Sequence, residues 1–300
     1  MIEIRPATLD DVIAVTALRT AVHPFQVRTV AGTTSWWANT RPEERLLVVV
    51  ATDSGDVVGW AFASFQTWTT QGSVAEATVI VHPDHRGRGI GHALWEPIEA
   101  HLEPVDTIQG FSDGDPASRA FATRRGFETT LELRYTRLDL ARLPDMPSVP
   151  DGVTLVSGTE IGPEDLYRID TVAIADEPHH VPMDAIPYDE WRADNWDSPD
   201  HDWDLAVVAL ADGVPAAHTK VIADPSTSRV WSDGTGTLPR HRGRGLAKLV
   251  KSVSMRRAVD AGYEAAYTCN AGVNAPMLAV NDWLGYRPAA TLYGQIRRSH

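Results

Sequence analysis

The chain has 300 residues, 43% of them hydrophobic, and a formal net charge of −13. That length suits two domains of ordinary size, and the acidity argues against nucleic acid, whose polyphosphate would be repelled, in favour of cationic small molecules. The single cysteine, Cys269, has no internal disulfide partner, no apolar run approaches a membrane span, and no charged-then-apolar leader precedes Ile2, so a reducing cytoplasm is expected.

The first half opens on an alternating apolar segment, Ile2-Glu3-Ile4-Arg5, predicted as a strand, and Thr8-Leu9-Asp10-Asp11 marks an acidic helix start. Leu46 to Ala51 and Val57 to Phe65 flank the turn Asp53-Ser54-Gly55-Asp56, which is a hairpin signal. Val79-Ile80-Val81 then leads through His82-Pro83-Asp84-His85-Arg86-Gly87-Arg88-Gly89-Ile90-Gly91 into a helix over His92 to Leu102. Pro97 is expected to bend or break the later turns of that helix. A short helix closes the half at Arg125-Gly126-Phe127.

Pro144, Pro147 and Pro150 fall within seven positions, so residues 141–151 read as a linker between domains at 1–140 and 152–300. The order then recurs. Val153-Thr154-Leu155-Val156 is a strand and Thr159 to Asp165 an acidic helix start. Leu205 to Leu210 and Val214 to Ile222 flank the turn Ala211-Asp212-Gly213. Thr235-Gly236-Thr237-Leu238-Pro239-Arg240-His241-Arg242-Gly243-Arg244-Gly245-Leu246-Ala247 leads into a helix over Lys248 to Ala261, and the half closes at Leu284-Gly285-Tyr286. Arg86 and Arg242 lie 156 residues apart, and aligning them also aligns Pro83 with Pro239 and His85 with His241. Cys269 is expected to be buried on a strand.

A strand, a basic glycine turn and a helix start make an anion site, because successive backbone N–H groups point outward and the helix dipole adds positive potential. The dinucleotide pattern Gly-x-Gly-x-x-Gly does not fit either copy: Gly91 comes one residue early, and Lys248 stands in the second. The pattern Arg86-x-x-Gly89-x-Gly91, with Arg242-x-x-Gly245-x-Ala247, resembles the acyl-CoA pyrophosphate loop of the GNAT superfamily of N-acetyltransferases. The element order and the Gly-aromatic endings match too, so the resemblance covers about 1–140 and 152–300.

The resemblance implies a tandem protein of α/β class, with two domains, each a mixed, mainly antiparallel sheet flanked by helices. It implies direct acetyl transfer from acetyl-CoA to a primary amine in a ternary complex. Arg86, Gly87, Arg88, Gly89, Ile90 and Gly91, with Arg242, Gly243, Arg244, Gly245, Leu246 and Ala247, would anchor the pyrophosphate. Val79 and Val81, and Thr235 and Thr237, would pair with the pantetheine arm. Many relatives carry a thiolate-protonating Tyr four residues before the Gly-aromatic pair; here that position is Ala122 and Asn281. The family's usual Asn, eleven before the Gly, is Asp115 and Asn274. Asn274 is read as a cofactor contact, a helix N-cap, or both. Glu76 and, on the corresponding strand of the second half, Asp233 are base candidates, with a strand-edge or surface charge as the other reading. Tyr263, Tyr267 and Tyr293 are further acid candidates, with packing favoured, and His218 is read as a satisfied structural histidine.

The acceptor side differs between halves. The segment Asp176 to Asp204 holds ten carboxylates and one Arg, with Trp191, Trp196 and Trp203 interleaved. It is read as a cation-attracting wall at the acceptor entrance, or as a solvated acidic loop with core tryptophans. His179, His180 and His201 there lack a recognisable ligand spacing, so no metal is expected. The first half's counterpart, His23 to Glu44, carries Arg28 and Arg41 and no such wall. Turnover is therefore expected in the second domain, on a cationic small-molecule amine, without nucleic-acid or membrane partners, in a monomer or homodimer. The alternatives are an enzyme similar to the tandem acetyltransferase that completes mycothiol, acting on an amino-sugar/cysteine acceptor, and a non-catalytic acyl-CoA sensor.

Overall fold

The computed structural model describes residues 2–69, 72–175, 181, 184 and 186–299. Contacts divide the chain into two compact units. Unit 1 comprises Met1–Leu133, His179–Asp184 and Thr291–His300, and unit 2 comprises Arg134–Pro178 and Ala185–Ala290.

The elements of the first half are β1 (Ile2–Pro6), α1 (Val12–Val22), α2 (Val30–Asn39), β2 (Leu47–Asp53), β3 (Asp56–Phe65), β4 (Val74–Val81), α3 (Ile90–His101), β5 (Thr107–Asp113), α4 (Pro116–Thr123) and β6 (Glu128–Asp139). Those of the second are β7 (Val153–Ser157), α5 (Gly158–Ile161), α6 (Pro163–Ala175), α7 (Tyr188–Trp191), β8 (Val207–Ala211), β9 (Val214–Asp224), β10 (Arg229–Thr237), α8 (Leu246–Asp260), β11 (Ala265–Ala271), α9 (Ala275–Leu284) and β12 (Arg287–Arg298). Both hairpin turns place two residues at positive φ, Ser54 and Gly55 in one and Asp212 and Gly213 in the other. That conformation matches the twist of the flanking strands. Residues 143–150 carry no helix or strand.

Each unit takes strand residues from the other sequence half. In unit 1 the order is β1-β2-β3-β4-β5, then the 291–298 part of β12, then the 128–133 part of β6. Gln295 of that added strand donates to Ser112 and Thr129, and Arg297 donates to Glu99 on α3. In unit 2 the 134–139 part of β6 lies beside β11, followed by β10, β9, β8 and β7. Leu138 and Leu140 enter the same apolar cluster as Val230, Ala266 and Tyr286. The expected domains at 1–140 and 152–300 are sequence halves, whereas the contact units exchange their closing strands.

The helix that follows the first phosphate loop runs through Pro97 to His101 without a break. Proline removes one backbone donor there, but Leu94, Trp95 and Ile98 are buried against β2, β3 and β4, and that packing holds the helix together. Of the expected bend or break, the break does not occur.

Candidate active site

The central strands of each unit part from one another. In unit 1, β4 and β5 are parallel and paired only over Val74–Glu76 and Thr107–Gln109. In unit 2, β10 and β11 pair only over Arg229–Trp231 and Ala265–Tyr267. Beyond these points β4 still pairs with β3, and β10 with β9. The other edges of Ala77–Val81 and Gly234–Thr237 therefore face a wedge-shaped opening and carry no strand partner among the described residues. Val79 and Val81, and Thr235 and Thr237, lie on these two segments.

The two phosphate loops sit at the wide end of each opening and share one conformation. Gly87 and Gly243 both have φ of 76°, and Gly89 and Gly245, each the N-cap of the following helix, have 80° and 75°. An L side chain is strained at such angles, and each of these four glycines faces open space. Arg86 Nε donates to Val81 O and Arg242 Nε to Thr237 O, both at 3.1 Å, so each loop is tied to its own strand. The first N–H groups of α3 and α8 have no intrahelical acceptor. Ile90, Gly91, Leu246 and Ala247 thus present a diphosphate cradle, which fits a coenzyme A ligand.

The openings differ in what lines them. In unit 1, Asp113 at the end of β5 lies 3.7 Å from Arg86 and 2.8 Å from His23 Nε2. A carboxylate thus sits beside the first phosphate loop. Asp113 is the sixth residue after Thr107, and the sixth after Ala265 in unit 2 is Ala271. Arg88 is drawn to Asp53 at 3.0 Å. Glu76 is the last residue of β4 paired to β5, opposite Gln109, and burial raises its carboxyl above the ordinary value despite Arg19 and Arg28 nearby. Asp115 caps α4, accepting from the N–H groups of Ala117 and Ser118.

Unit 2 has a β-bulge between Ser232 and Gly234. Asp233 is the additional residue, so the last β11-paired residue, Trp231, corresponds to Glu76, and Asp233 has no counterpart in unit 1. The two base candidates, Glu76 and Asp233, thus lie on corresponding strands but at different register positions. Asp233 Oδ1 accepts from Trp231 Nε1, and Oδ2 accepts from His201 Nε2 at 3.1 Å and lies 3.6 Å from Lys220 Nζ. Lys220 Nζ donates to Asp170 Oδ2 and Asn195 Oδ1, both at 2.8 Å. Asp170, on α6, also accepts from Trp191 Nε1 at 2.7 Å and from His218 Nε2 at 2.9 Å. Burial opposes the charge on Asp170, but Lys220 and His218 outweigh it and hold the carboxyl well below its usual range. His218 is only half satisfied, because its Nδ1 is buried without a hydrogen-bond partner. The signal for this cluster was present in sequence: His218 and Lys220 alternate on one face of an otherwise apolar strand.

A second buried polar group lies beside α8. Lys251 Nζ donates to Asn281 Oδ1 at 2.7 Å, Asn281 Nδ2 donates to Asn270 Oδ1 at 2.6 Å, and the ammonium lies 5.1 Å from the centre of the Tyr286 ring. Burial lowers Lys251 to about 7. Asn274 accepts from Met277 N and caps α9, which answers its capping role. It is not part of the Asn281 cluster.

Other expected residues fall as follows. Cys269 is on β11 as expected but is half-buried, because β11 loses its neighbour where the strands part. Tyr263 packs in the unit 2 core, and Tyr293 sits under the Arg119 guanidinium in unit 1. Tyr267 is the last β11 residue paired to β10. Of the acidic segment, 176–180, including His179 and His180, lies outside the described residues. Asp200 is buried, Asp202 accepts from the N–H groups of Asp204 and Leu205, and Asp204 accepts from Thr159. Of these three carboxylates, Asp200 is buried, Asp202 half-buried and Asp204 exposed. Trp191, Trp196 and Trp203 pack with Leu166, Ile169 and Val208. Among the described residues no group of three or more His, Cys, Asp or Glu could hold a metal ion, and no helix is long and apolar enough to cross a membrane.

A model of the acetyltransferase (GNAT) family matches residues 14–127. The chain is 31% identical over 229 residues to a mycothiol acetyltransferase of Nocardioides sp., covering 72% of this chain and 77% of that protein. It is 32% identical over 224 residues to the mycothiol acetyltransferase of Nocardia farcinica, covering 72% of each. A tandem GNAT protein from the clavulanic acid biosynthesis pathway shares the fold, with a TM-score of 0.73 at 22% identity over 99% of this chain and 98% of its own. A GCN5-related N-acetyltransferase from Sphaerobacter thermophilus gives 0.68 at 16% identity, over 99% and 95%.

Proposed function

We propose, for a chain that belongs to the GNAT family of acetyltransferases as a tandem member, that its second unit transfers acetyl from acetyl-CoA to the primary amine of a cationic small molecule. The observation that carries this is a strand bulge, present in β10 and not in the β3–β4 register of unit 1, that bears Asp233 beside the Gly234–Thr237 edge. In unit 1 Asp113 competes for Arg86.

In this reading the N–H groups of Gly243 to Ala247, with Arg242, hold the pyrophosphate. The open edge of Gly234–Thr237 pairs with the amides of the pantetheine arm. The bulge at Asp233 releases a backbone donor for the thioester oxygen, where such a hydrogen bond contributes about 3–4 kcal/mol to the transition state. Asn281, held between Lys251 and Asn270, stands where many relatives have a Tyr, so in this reading the proton for the leaving thiolate comes by way of Asn281 and Lys251. The name shared by the relatives favours, as a second reading, an amino-sugar/cysteine acceptor of the mycothiol type.

Thiol release from acetyl-CoA tests this, with a polyamine, an amino sugar and a cysteinyl amine as acceptors. Gly245→Asp should remove turnover by setting a strained side chain and a negative charge beside the phosphate, while Gly89→Asp should leave most of it. The opposite pattern would move the chemistry to unit 1 and Glu76.

A further inference from the structure

Five side chains of unit 2 form one linear chain, His218–Asp170–Lys220–Asp233–His201, with contacts of 2.9, 2.8, 3.6 and 3.1 Å. The groups that face one another in it come from every element around it: Asp170 from α6, His218 and Lys220 from β9, Asp233 from β10, and His201 from the segment bridged to Ile222. Asn195, from the π-helical segment Arg192–Trp196 that follows α7, is the neutral member. In this chain two carboxylates face one ammonium and two imidazoles.

Burying such a group costs free energy that the fold does not require. In unit 1, Trp60 pairs with Ile80 and Phe62 with Thr78, which are six and eight residues before Arg86. In unit 2, His218 pairs with Gly236 and Lys220 with Gly234, six and eight before Arg242. The same two places thus hold Trp60 and Phe62 in unit 1, packed with Val15 and Leu18. An apolar core serves there, so the charges of unit 2 are retained for another reason.

The two ends of the chain are not alike. His218 is closed in: a Cβ on Gly236 would lie 3.1 Å from its Cε1 and 2.1 Å from Ala173 Cβ. At the other end the Asp233 side chain keeps 22% of its surface exposed, while that of His201 keeps 4%. The His201 ring is stacked on Trp203, with 5.0 Å between centroids and 8° between planes, so its orientation is set. A carboxylate accepts only, so Nε2 carries the ring proton toward Asp233 and Nδ1 bears the lone pair. That Nδ1 is buried and has no hydrogen-bond partner. The oxygens of Asp233 are already engaged by Trp231, His201 and Lys220.

We infer that His201 is the general base that takes a proton from the acceptor's ammonium group in unit 2, with Asp233 as its positioning carboxylate and Lys220, Asp170 and His218 as the anchor behind it. This rests on the acetyl transfer proposed above. In the step, one N–H bond of the ammonium breaks and its proton bonds His201 Nδ1. The amine nitrogen keeps the electron pair for attack on the thioester carbonyl. The imidazolium that forms lies against the Asp233 carboxylate, which stabilises its positive charge. The substrate class follows: the acceptor enters as a cation with at least one N–H to give.

The test uses the full chain labelled with 15N-histidine, with signals assigned through His201→Gln and His218→Gln. At neutral pH the His201 ring should be the Nε2–H tautomer with a bare Nδ1. Added methylammonium should shift that Nδ1 resonance, whereas tetramethylammonium, which has no N–H, should not. An Nδ1–H tautomer, or equal responses to the two cations, would overturn the assignment. With the best amine of the acceptor panel, His201→Gln should lower kcat about 10²–10⁴-fold and leave the KM for acetyl-CoA within about twofold. Asp233→Asn, of the same shape, should lower kcat and change the tautomer ratio of His201. Near-normal kcat in a folded His201→Gln protein would refute the base. If no amine supports turnover, the acetyl-transfer reading fails, and the tautomer and the two cations still judge this one.

Discussion

Replacing Lys251 by Met should make the protein more stable, and the gain should vanish as pH rises. Lys251 is buried in unit 2, with the neutral Asn281 as acceptor, and burial takes it from an ordinary 10.5 to about 7. At about 1.4 kcal/mol per pH unit, that difference is a cost of roughly 5 kcal/mol when the side chain is charged in both states. The direction follows from the protons bound. Between about 7 and 10.5 the unfolded chain holds a proton that the folded one has released, so stability rises with pH across that window. Above it both states are neutral and the cost is gone; below it the cost is complete. Methionine removes the charge but leaves Asn281 Oδ1 without its donor, which costs about 1–3 kcal/mol. The net expectation is a gain of about 2–4 kcal/mol near pH 6, turning into a small loss near pH 10. Urea unfolding of both proteins across that range measures it. A Met variant that is less stable at pH 6, or a difference that does not change with pH, would refute the reasoning. A cost of this size at a position where methionine would pack points to use, so turnover should fall as stability rises.

Asp113→Ala should release Arg86 in unit 1 and tighten coenzyme A binding there several-fold, seen by calorimetry as a stronger or additional binding event in a Gly245→Asp background. Unchanged heats would show that Asp113 does not govern the first loop. Asp202→Ala should lower the melting temperature, because its carboxylate accepts two backbone N–H groups, at a cost of about 1 kcal/mol. A melting temperature that stays the same would return Asp202 to the solvated wall that the charge pattern suggested.

The features legible in the sequence were local ones. Both hairpin turns, both glycine loops and the Asn274 cap are set within a few residues, so residue type and spacing state them directly. The exchange of β6 and β12 was not legible, because either strand pairs equally well by pattern with its own half or with the other. Nor was the bulge, a single residue that shifts Asp233 away from any counterpart of Glu76. The acidic segment misled for a related reason: composition reports charge but not which carboxylates accept backbone N–H groups, as Asp202 does.

The two units carry one backbone plan and differ at a few side chains, and those differences align with chemistry. Trp60 and Phe62 stand where unit 2 has His218 and Lys220, and Asp113 stands where it has Ala271. Each exchange alters charge within its unit while leaving the sheet intact, which the proposal above reads as an active site in unit 2 and a different role in unit 1. If that is the correct reading, grafting should be asymmetric. His218→Trp and Lys220→Phe bring to unit 2 the side chains that pack at these places in unit 1, and because the buried Asp170 carboxylate then loses its partners, folding is checked by circular dichroism before activity is read. They should abolish turnover, since Asp170 then loses both His218 and Lys220 and His201 loses the anchor behind Asp233. A folded double variant that still releases thiol with the best amine would place the chemistry outside this network.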